Sequence, residues 1–431
     1  MVDYTDELIR VIREDATPAL GCTEPVAVAY AAAVAGDYTK GPLRAMRVAV
    51  SKNIYKNGKS VLIPHTGESG LDLAAAVGYT GGDAAQGFLV LTTLDPERLA
   101  EAKSLLEQGK VRLAFVADTP DVYVSIEADA DNEVRVLVQD GHTNLMQVQV
   151  DGDIVYEAES GQTRVAGSRA FLRELSFQRL REITEQVPAE KIEFIEEGID
   201  MNLEAAQKGL EDRVGLGMGA KLQRMQEEGR VAMDAAMQSR ILTAAAADMR
   251  MGGGDSPIMT SGGSGNQGLG VILPVYIVAK EHGCTREQTL RAVFFSHAVN
   301  EYVKSYSGKL SGMCGCAIGA GIGAAAAITW LYGGDDTQIA GACNNMFANI
   351  SGILCDGAKD TCSMKLSTSA GEAVLSAHLA LEGMVVQPSV GVIGATIEET
   401  IQNIGRLSHQ GFSGVDDVML DIIDQYGSPG A

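Results

Sequence analysis

Four cysteines in the C-terminal half of the chain have a spacing that could bind a metal. Cys314 and Cys316 stand in Gly-Met-Cys-Gly-Cys-Ala, and Cys355 and Cys362 enclose the polar segment Asp-Gly-Ala-Lys-Asp-Thr. An unbroken helix would separate the Cα atoms of Cys355 and Cys362 by about 10 Å, but Asp-Gly predicts a turn through which both thiols converge. Structural zinc prefers four ligands in C-x2–4-C pairs, so the spacing favours an iron–sulfur site over zinc. Two buried core thiols are the simpler alternative.

The remaining cysteines divide into two kinds. Cys284 and Cys343 lie in apolar or helical surroundings, which predicts ordinary core residues. Cys22 stands in Leu-Gly-Cys-Thr-Glu-Pro, directly before an apolar helix. A thiol at the N-terminus of a helix has a lowered pKa, so Cys22 is a candidate acid–base group, although the charge of Glu24 opposes the shift. The alternative is a plain helix start with Thr23 as its cap.

A glycine-rich segment covers residues 251–268. It contains a formal G-x-G-x-x-G, which is a weak dinucleotide signal because no strand precedes it and no βαβ unit surrounds it. Free N–H groups at the start of the following helix would bind an anion such as a carboxylate. A flexible interhelical loop is the structural alternative. The donors that this segment offers are on Ser261, Ser264, Gly265, Asn266 and Gln267.

A further polar motif, Ile-Pro-His-Thr-Gly-Glu at residues 63–68, lies at the end of a predicted strand. His65 is the candidate of this motif for substrate binding or proton transfer. The alternative is a structural role, which is more common for a lone histidine. Asn53 and Lys309 are weaker candidates elsewhere in the chain.

Charge and composition restrict the partners. The 431 residues include 34 Lys and Arg against 56 Asp and Glu, a net charge of −22. This balance argues against nucleic acid or an anionic membrane as a partner, but not against a small anionic substrate, which is bound locally. The acidic N-terminus lacks a signal-peptide pattern, so we expect a cytoplasmic protein whose cysteines are thiols or metal ligands rather than disulfides.

An uncharged run at residues 313–332 has the length of a membrane span. It consists mostly of Gly and Ala, which are weakly hydrophobic, and an acidic segment follows it directly. A buried helix packed closely through small residues is therefore the prediction.

Periodicity predicts an α+β protein with three parts. Residues 1–40 are predicted to form N-terminal helices that pack on an all-α domain. Residues 41–165 are predicted to form a smaller α/β domain, with strands at 47–51, 60–64, 87–92 and 111–117, a helix at 97–108 and then an antiparallel meander. The periodicity of residues 166–431 predicts helix almost throughout. These residues would form the large all-α domain that carries the iron–sulfur site.

Four motifs of this chain together resemble the L-cysteine desulfidase family, which is related to the iron–sulfur L-serine dehydratases. The motifs are Gly-Cys-Thr-Glu-Pro, Ser-Gly-Gly-Ser-Gly-Asn-Gln-Gly, Cys-Gly-Cys and Cys-Asp-Gly-Ala-Lys-x-x-Cys. The resemblance implies an oxygen-sensitive lyase with a 4Fe–4S cluster held by three cysteines. Its open iron would act as a Lewis acid in a β-elimination that yields pyruvate, ammonia and hydrogen sulfide. Carried over by position, the metal ligands are Cys355, Cys362 and Cys314, with Cys316 as the alternative third ligand.

The resemblance also implies roles for the other motifs. Cys22 is the candidate acid–base residue, and the dehydratases carry Ser-Ser-His-Thr where this chain has Gly-Cys-Thr-Glu, which favours a thiol substrate. Some dehydratases cap the open iron with a C-terminal cysteine; this chain ends Gly-Ser-Pro-Gly-Ala, so no such cap is expected. The residues expected to bind the substrate are Thr23, Glu24, Asn53, His65, Thr66, Gly67, Ser264, Gly265, Asn266 and Gln267.

Three other functions stay open at this point. An iron–sulfur L-serine dehydratase would use the same cluster. A pyridoxal-phosphate lyase would need a Schiff-base lysine beside a phosphate cradle, and the sequence has no recognisable one. A non-enzymatic iron–sulfur sensor would be expected to carry an output domain. The expected partner is a small amino-acid substrate, with no nucleic acid and no membrane, and a homodimer is the assembly considered.

Overall fold

The computed structural model describes residues 3–158, 169–212, 214–308 and 310–425. Its helices are α1 (Thr5–Asp15), α2 (Thr23–Tyr38), α3 (Lys52–Gly58), α4 (Leu71–Gly81), α5 (Pro96–Glu107), α6 (Phe177–Gln186), α7 (Phe194–Asp212), α8 (Met218–Glu227), α9 (Ala235–Met251), α10 (Gly265–Glu281), α11 (Arg286–Ser307), α12 (Ile322–Leu331), α13 (Asp336–Ile350), α14 (Cys362–Leu381), α15 (Ile397–Arg406) and α16 (Ser413–Gln425). Its strands are β1 (Pro18–Ala19), β2 (Ala45–Ser51), β3 (Val111–Val116), β4 (Tyr123–Asp129), β5 (Glu133–Gln139), β6 (Leu145–Val150), β7 (Asp153–Glu157) and β8 (Ile258–Met259).

Six of the strands form a mixed sheet in the order β3-β2-β4-β5-β6-β7. Only β2 and β3 run parallel, and the remaining neighbours are antiparallel. Along β4 and β5 every second residue is buried, because side chains alternate between the two faces of a strand. The buried face packs against α2. The predicted α+β class, with an antiparallel meander in the smaller part, is confirmed.

Two of the predicted strands are wrong. Residues 60–64 contribute a single bridge from Leu62 to Ser69, and the chain turns after Pro64 because His65 takes a left-handed φ of 66°. The second wrong prediction is the strand at residues 87–92. This segment overlaps the 3-10 turns of Ala84–Leu89, in which Gly87 has a φ of 55°. A positive φ interrupts an extended run, so apolar content alone misidentified both segments.

The hydrophobic residues form two main cores, and they divide the N-terminus differently from the predicted boundary. Helix α1 shares one hydrophobic core with α6, α7 and α9–α15. Helix α2 lies instead in the core of the sheet, where its alanines and valines face β4, β5 and α4. The nearly uniform apolar surface of α2 suits this burial on several sides.

The uncharged run at residues 313–332 is buried inside the helical core. It forms a π-helical segment, Cys316–Gly321, followed by α12, and residues 324–328 are fully buried. Across the residues that the structure describes, no helix combines the length and apolarity needed to cross a membrane.

Ion pairs attach the C-terminal helix α16 to α3. Lys56 contacts Asp416 at 2.5 Å, with side chains only 1% and 16% exposed. Lys52 pairs with the next residue, Asp417, but those side chains are 38% and 58% exposed. Since α3 also carries a residue of the site described below, these contacts brace one wall of that site.

The adjacent positions 416 and 417 allow a matched test of this attachment. Asp416→Ala leaves the buried ammonium of Lys56 without its carboxylate, which costs about 3 kcal/mol or more, whereas Asp417→Ala removes an exposed pair worth at most about 1 kcal/mol. We expect hydrogen exchange of the α16 amides to accelerate about a hundredfold in Asp416→Ala and only a few-fold in Asp417→Ala. Equal acceleration in both variants would show that burial of the Lys56 pair does not matter.

Candidate functional site

Two cysteine-bearing segments are joined by a short antiparallel bridge between Met313 and Leu354. The N–H of Cys314 donates to the carbonyl of Ile353 at 2.9 Å, and the N–H of Cys355 donates to the carbonyl of Gly312 at 2.9 Å. Residues far apart in sequence thus place Cys314 and Cys355 side by side. These backbone hydrogen bonds bring the Cys-Gly-Cys motif next to the segment that carries Cys355 and Cys362.

The Asp-Gly turn predicted after Cys355 is present. Gly357 has a φ of 92°, and a Cβ there would lie 2.5 Å from the carbonyl oxygen of Lys56, so the turn packs against α3 only with glycine in this position. The turn returns the chain to Cys362 at the start of α14. Asp356 accepts hydrogen bonds from Lys359, at 2.6 Å, and from Lys365, which hold the turn closed.

All four cysteines of the two motifs line one cavity of about 100 Å³. In the cavity wall the thiol of Cys316 donates a hydrogen bond to Cys314, which lowers the pKa of Cys314 and raises that of Cys316. Burial raises the pKa of Cys355 and brings that of Cys362 to about 12. Cys284 and Cys343 do not line this cavity in the described structure. Cys343 is fully buried in the helical core, as predicted, whereas the prediction of a core position for Cys284 is wrong because that residue is only partly buried.

These four thiols fit a cluster better than a single ion. Among the described residues, no three His, Cys, Asp or Glu side chains are close enough together to bind one metal ion. The cysteines of an iron–sulfur cluster are distributed over several irons, so they must surround a shared space rather than meet at one point. Thiols from two loops around one cavity are such a donor set.

The start of α2 also lines the cavity. One carboxylate oxygen of Glu24 accepts hydrogen bonds from the thiol of Cys22 at 2.9 Å and the hydroxyl of Thr23 at 3.1 Å. The other accepts from the Asn57 amide of α3 at 3.0 Å. Burial, together with the charge of Glu24, raises the pKa of the Cys22 thiol well above its ordinary value. The expected lowering of the Cys22 pKa is therefore wrong, and so is the alternative of Thr23 as helix cap, since Cys22 holds that position.

His142 is a site residue that the sequence did not reveal. It lies in the turn between β5 and β6, is buried, and lines the cavity with its Nε2 atom 4.0 Å from Glu24. Burial alone would raise the pKa of Glu24. The charge of His142 and the hydrogen bonds that Glu24 accepts lower this pKa instead. The one available signal was Asp-Gly-His directly after a predicted strand, with nothing to show that this turn folds back on α2.

The glycine-rich segment lines the cavity through a tight turn before α10. Ser261 and Ser264 form a bridge around Gly262 and Gly263, and the hydroxyl of Ser261 contacts His297 Nδ1 at 2.9 Å. The turn is thus held from beneath by α11, unlike a flexible loop. Of the predicted binding residues here, Ser264, Asn266 and Gln267 line the cavity, whereas Gly265 is not among the lining residues.

The Ile-Pro-His-Thr-Gly-Glu motif of residues 63–68 is not part of the cavity lining. Thr66 donates to the carbonyl of Ile63 at 2.9 Å within its own turn, with Gly67 beside it, and His65 lies 3.8 Å from the exposed Asp255. Asn53 donates to Asp121 at 3.3 Å. Lys309 lies outside the described residues. The structure therefore brings Thr23 and Glu24 of the predicted set to the cavity in addition to the three residues of the glycine-rich segment. The lining also contains residues that were not predicted there, among them Asn57, His142 and Arg250.

Comparison with known proteins places this cavity in a family context. Residues 85–421 match the family of the serine dehydratase alpha chain. A UPF0597 protein of Clostridium botulinum (strain Okra / Type B1) is 48% identical over 421 residues, which are 97% of this chain and 97% of the relative. A UPF0597 protein of Desulfatibacillum aliphaticivorans is 41% identical over 417 residues, 94% of this chain and 95% of the relative. The chain therefore belongs to the serine dehydratase alpha chain family, a family of iron–sulfur, dehydratase-like lyases.

Proposed function

We propose that this protein is a cytoplasmic L-cysteine desulfidase, which converts L-cysteine to pyruvate, ammonia and hydrogen sulfide by β-elimination. The observation that carries the proposal is the single cavity shared by the four cysteines, the Cys22–Glu24 pair and the glycine-rich turn. Metal ligands, proton-transfer groups and anion-binding donors are the three elements that such an elimination needs, and they meet at one place.

Cys314, Cys355 and Cys362 are the proposed ligands of a 4Fe–4S cluster. When bound, the cluster supplies an open iron that acts as a Lewis acid toward the sulfur of the substrate. Cys355 is also positioned by the protein, since its thiol lies 3.8 Å from the amide oxygen of Asn57. Asn57 therefore links the ligand set to Glu24.

The acid–base chemistry is assigned to the Cys22–Glu24 pair. The hydrogen bond runs from the thiol to the carboxylate, so Cys22 is the proton donor of the pair and Glu24 the acceptor. During elimination, Glu24 takes the α-proton and the Cys22 thiol gives its proton to the departing sulfide. Transfer of a proton from Glu24 to Cys22 along their hydrogen bond then restores both groups. The aminoacrylate that leaves then hydrolyses to pyruvate and ammonia. The geometry favours Cys22 as an acid rather than as the thiolate base that its helix position alone suggested.

An L-serine dehydratase is the second candidate, because the matching family carries that name. The deciding experiment is an anaerobic assay of pyruvate release from L-cysteine and from L-serine at equal concentrations, with hydrogen sulfide measured in parallel. We expect the kcat/KM for L-cysteine to exceed that for L-serine. A preference for L-serine would replace the proposal with the dehydratase, and no turnover of either would favour a non-enzymatic sensor.

The ligand assignment predicts which cysteines hold iron. Cys355→Ser and Cys362→Ser should lose the cluster absorbance near 400 nm and all activity, because each removes a thiolate ligand, while Cys284→Ser should keep both. Circular dichroism of the variants checks that the helical fold is intact. Full iron content in Cys355→Ser or Cys362→Ser would contradict their assignment.

The third ligand has its own test in the Cys-Gly-Cys motif. Cys314→Ala should lose iron, whereas Cys316→Ala should keep both iron and activity. The measurement is the total iron bound per chain after anaerobic reconstitution of each variant. The reverse pattern would make Cys316 the ligand.

The proposed proton donor can be separated from the ligands. Cys22→Ala should retain the cluster, and its turnover should fall by about 10²-fold, the usual scale for a positioned proton-transfer group. Cys22→Ser, which keeps a donor to Glu24, should lose less. Iron loss would make Cys22 a ligand, and near-normal turnover with intact iron would reduce it to a core residue at the start of α2.

A further inference from the structure

We propose that Arg250 binds the α-carboxylate of the substrate and thereby restricts the cavity to α-amino acids with a free carboxylate. This inference rests on the proposed function only for the identity of the substrate. Arg250 lies in the last turn of α9, is 2% exposed, and lines the cavity.

The guanidinium of Arg250 is incompletely paired. Its Nη1 donates to the amide oxygen of Asn266 at 2.9 Å, while Nε has no hydrogen-bond partner among the described residues. No carboxylate of the described residues lies within ion-pair distance of it, although its charge contributes to the lowered pKa of Glu24. The other deeply buried arginine offers a contrast, because Arg169 contacts both Asp15 and Glu301.

An unpaired buried cation is energetically costly. A carboxylate ligand relieves that cost more fully than any neutral ligand, because the guanidinium fork matches both carboxylate oxygens. Because Arg250 also lines the cavity, an anion that enters the cavity can reach its guanidinium.

The backbone around Arg250 is shaped for the same anion. A Cβ on Gly265 would lie 2.3 Å from Nε of Arg250, so the first turn of α10 lies directly against the guanidinium. Unpaired N–H groups at a helix N-terminus also attract anions. The predicted anion site at the glycine-rich segment therefore gains a buried positive charge that the sequence did not indicate.

A second orphan atom fits the amino group of the substrate. The side-chain oxygen of Gln267 is buried, has no partner among the described residues, and belongs to the cavity lining. It is an acceptor, which an ammonium group can satisfy. A Cβ on Gly315 would lie 2.4 Å from the amide nitrogen of Gln267, so this side chain also touches the Cys-Gly-Cys segment.

The three groups together define the substrate class. Arg250 takes the carboxylate, Gln267 takes the ammonium group, and the cysteines lie on the side where Gln267 meets Gly315. An α-amino acid held in this way directs its short side chain toward the cysteines. Such three-point binding also selects one enantiomer, because exchanging two substituents on Cα breaks one of the three contacts.

The experiment measures binding of a substrate analogue that cannot be eliminated. L-alanine has no leaving group, and L-alaninamide replaces its carboxylate with a neutral amide. Calorimetry on the anaerobically prepared, cluster-loaded protein should show L-alanine binding more tightly than L-alaninamide by about 10²-fold, the scale expected for a buried charge pair. This comparison needs no variant.

Variants then assign the effect to one residue. Arg250→Gln should lose about 10²-fold in affinity for L-alanine but little for L-alaninamide, and Arg250→Lys should recover part of the loss. Arg240→Gln, on the same helix but outside the cavity lining, is the matched control and should bind both ligands as the unmodified protein does.

The possible results distinguish this inference from the proposed function. Equal affinity for the two ligands, or undiminished L-alanine binding by a folded Arg250→Gln, overturns the role of Arg250 whatever the protein catalyses. Selective L-alanine binding that depends on Arg250 supports the role even if L-cysteine is not turned over, in which case only the desulfidase proposal fails.

Discussion

One buried carboxylate, that of Glu24, holds three segments of the chain around the cavity. It accepts hydrogen bonds from its own helix start at Cys22 and from Asn57 of α3, and it faces His142 of the β5–β6 turn. A buried carboxylate without such partners would be costly, so each of these contacts is also a constraint on where its segment lies. Because Asn57 also contacts Cys355, displacing Glu24 would disturb the cysteine side of the cavity as well.

A different set of buried polar groups fixes the glycine-rich turn, which also lines the cavity. Ser261 receives a hydrogen bond from Asn300 at 3.0 Å and contacts His297, and the hydroxyl of Thr260 donates to the carbonyl of Asp15 at 2.6 Å. Burial lowers the pKa of His297 to about 3, so its imidazole is neutral throughout the physiological range. The contact beneath the turn is therefore insensitive to pH near neutrality, and the anion-binding groups above it keep one arrangement.

Periodicity was sufficient for the fold class, because the alternating residues of β4 and β5 and the long apolar runs of the helices each match one backbone period. It failed for the predicted strands at 60–64 and 87–92, because His65 and Gly87 take left-handed conformations that turn the chain. The cysteine loops could be anticipated from local chemistry, since an Asp-Gly turn depends on neighbouring residues alone. The sign of the Cys22 pKa shift could not, because burial of the thiol is set by Val61 and Met251 from other segments.

The residues that were missed share a physical reason. Arg250 stands in the last turn of a helix, where a basic residue is ordinary because it complements the helix dipole, and only its burial and its incomplete pairing set it apart. His142 stands in a hairpin turn, a usual place for a polar residue. In each case the distinguishing property is that the side chain lines the cavity, which depends on residues far away in the sequence. The net charge of −22 also gives no indication of an anion-binding site. An acidic chain can bind an anion because the local field at a buried guanidinium depends on its immediate neighbours far more than on charges at the screened surface.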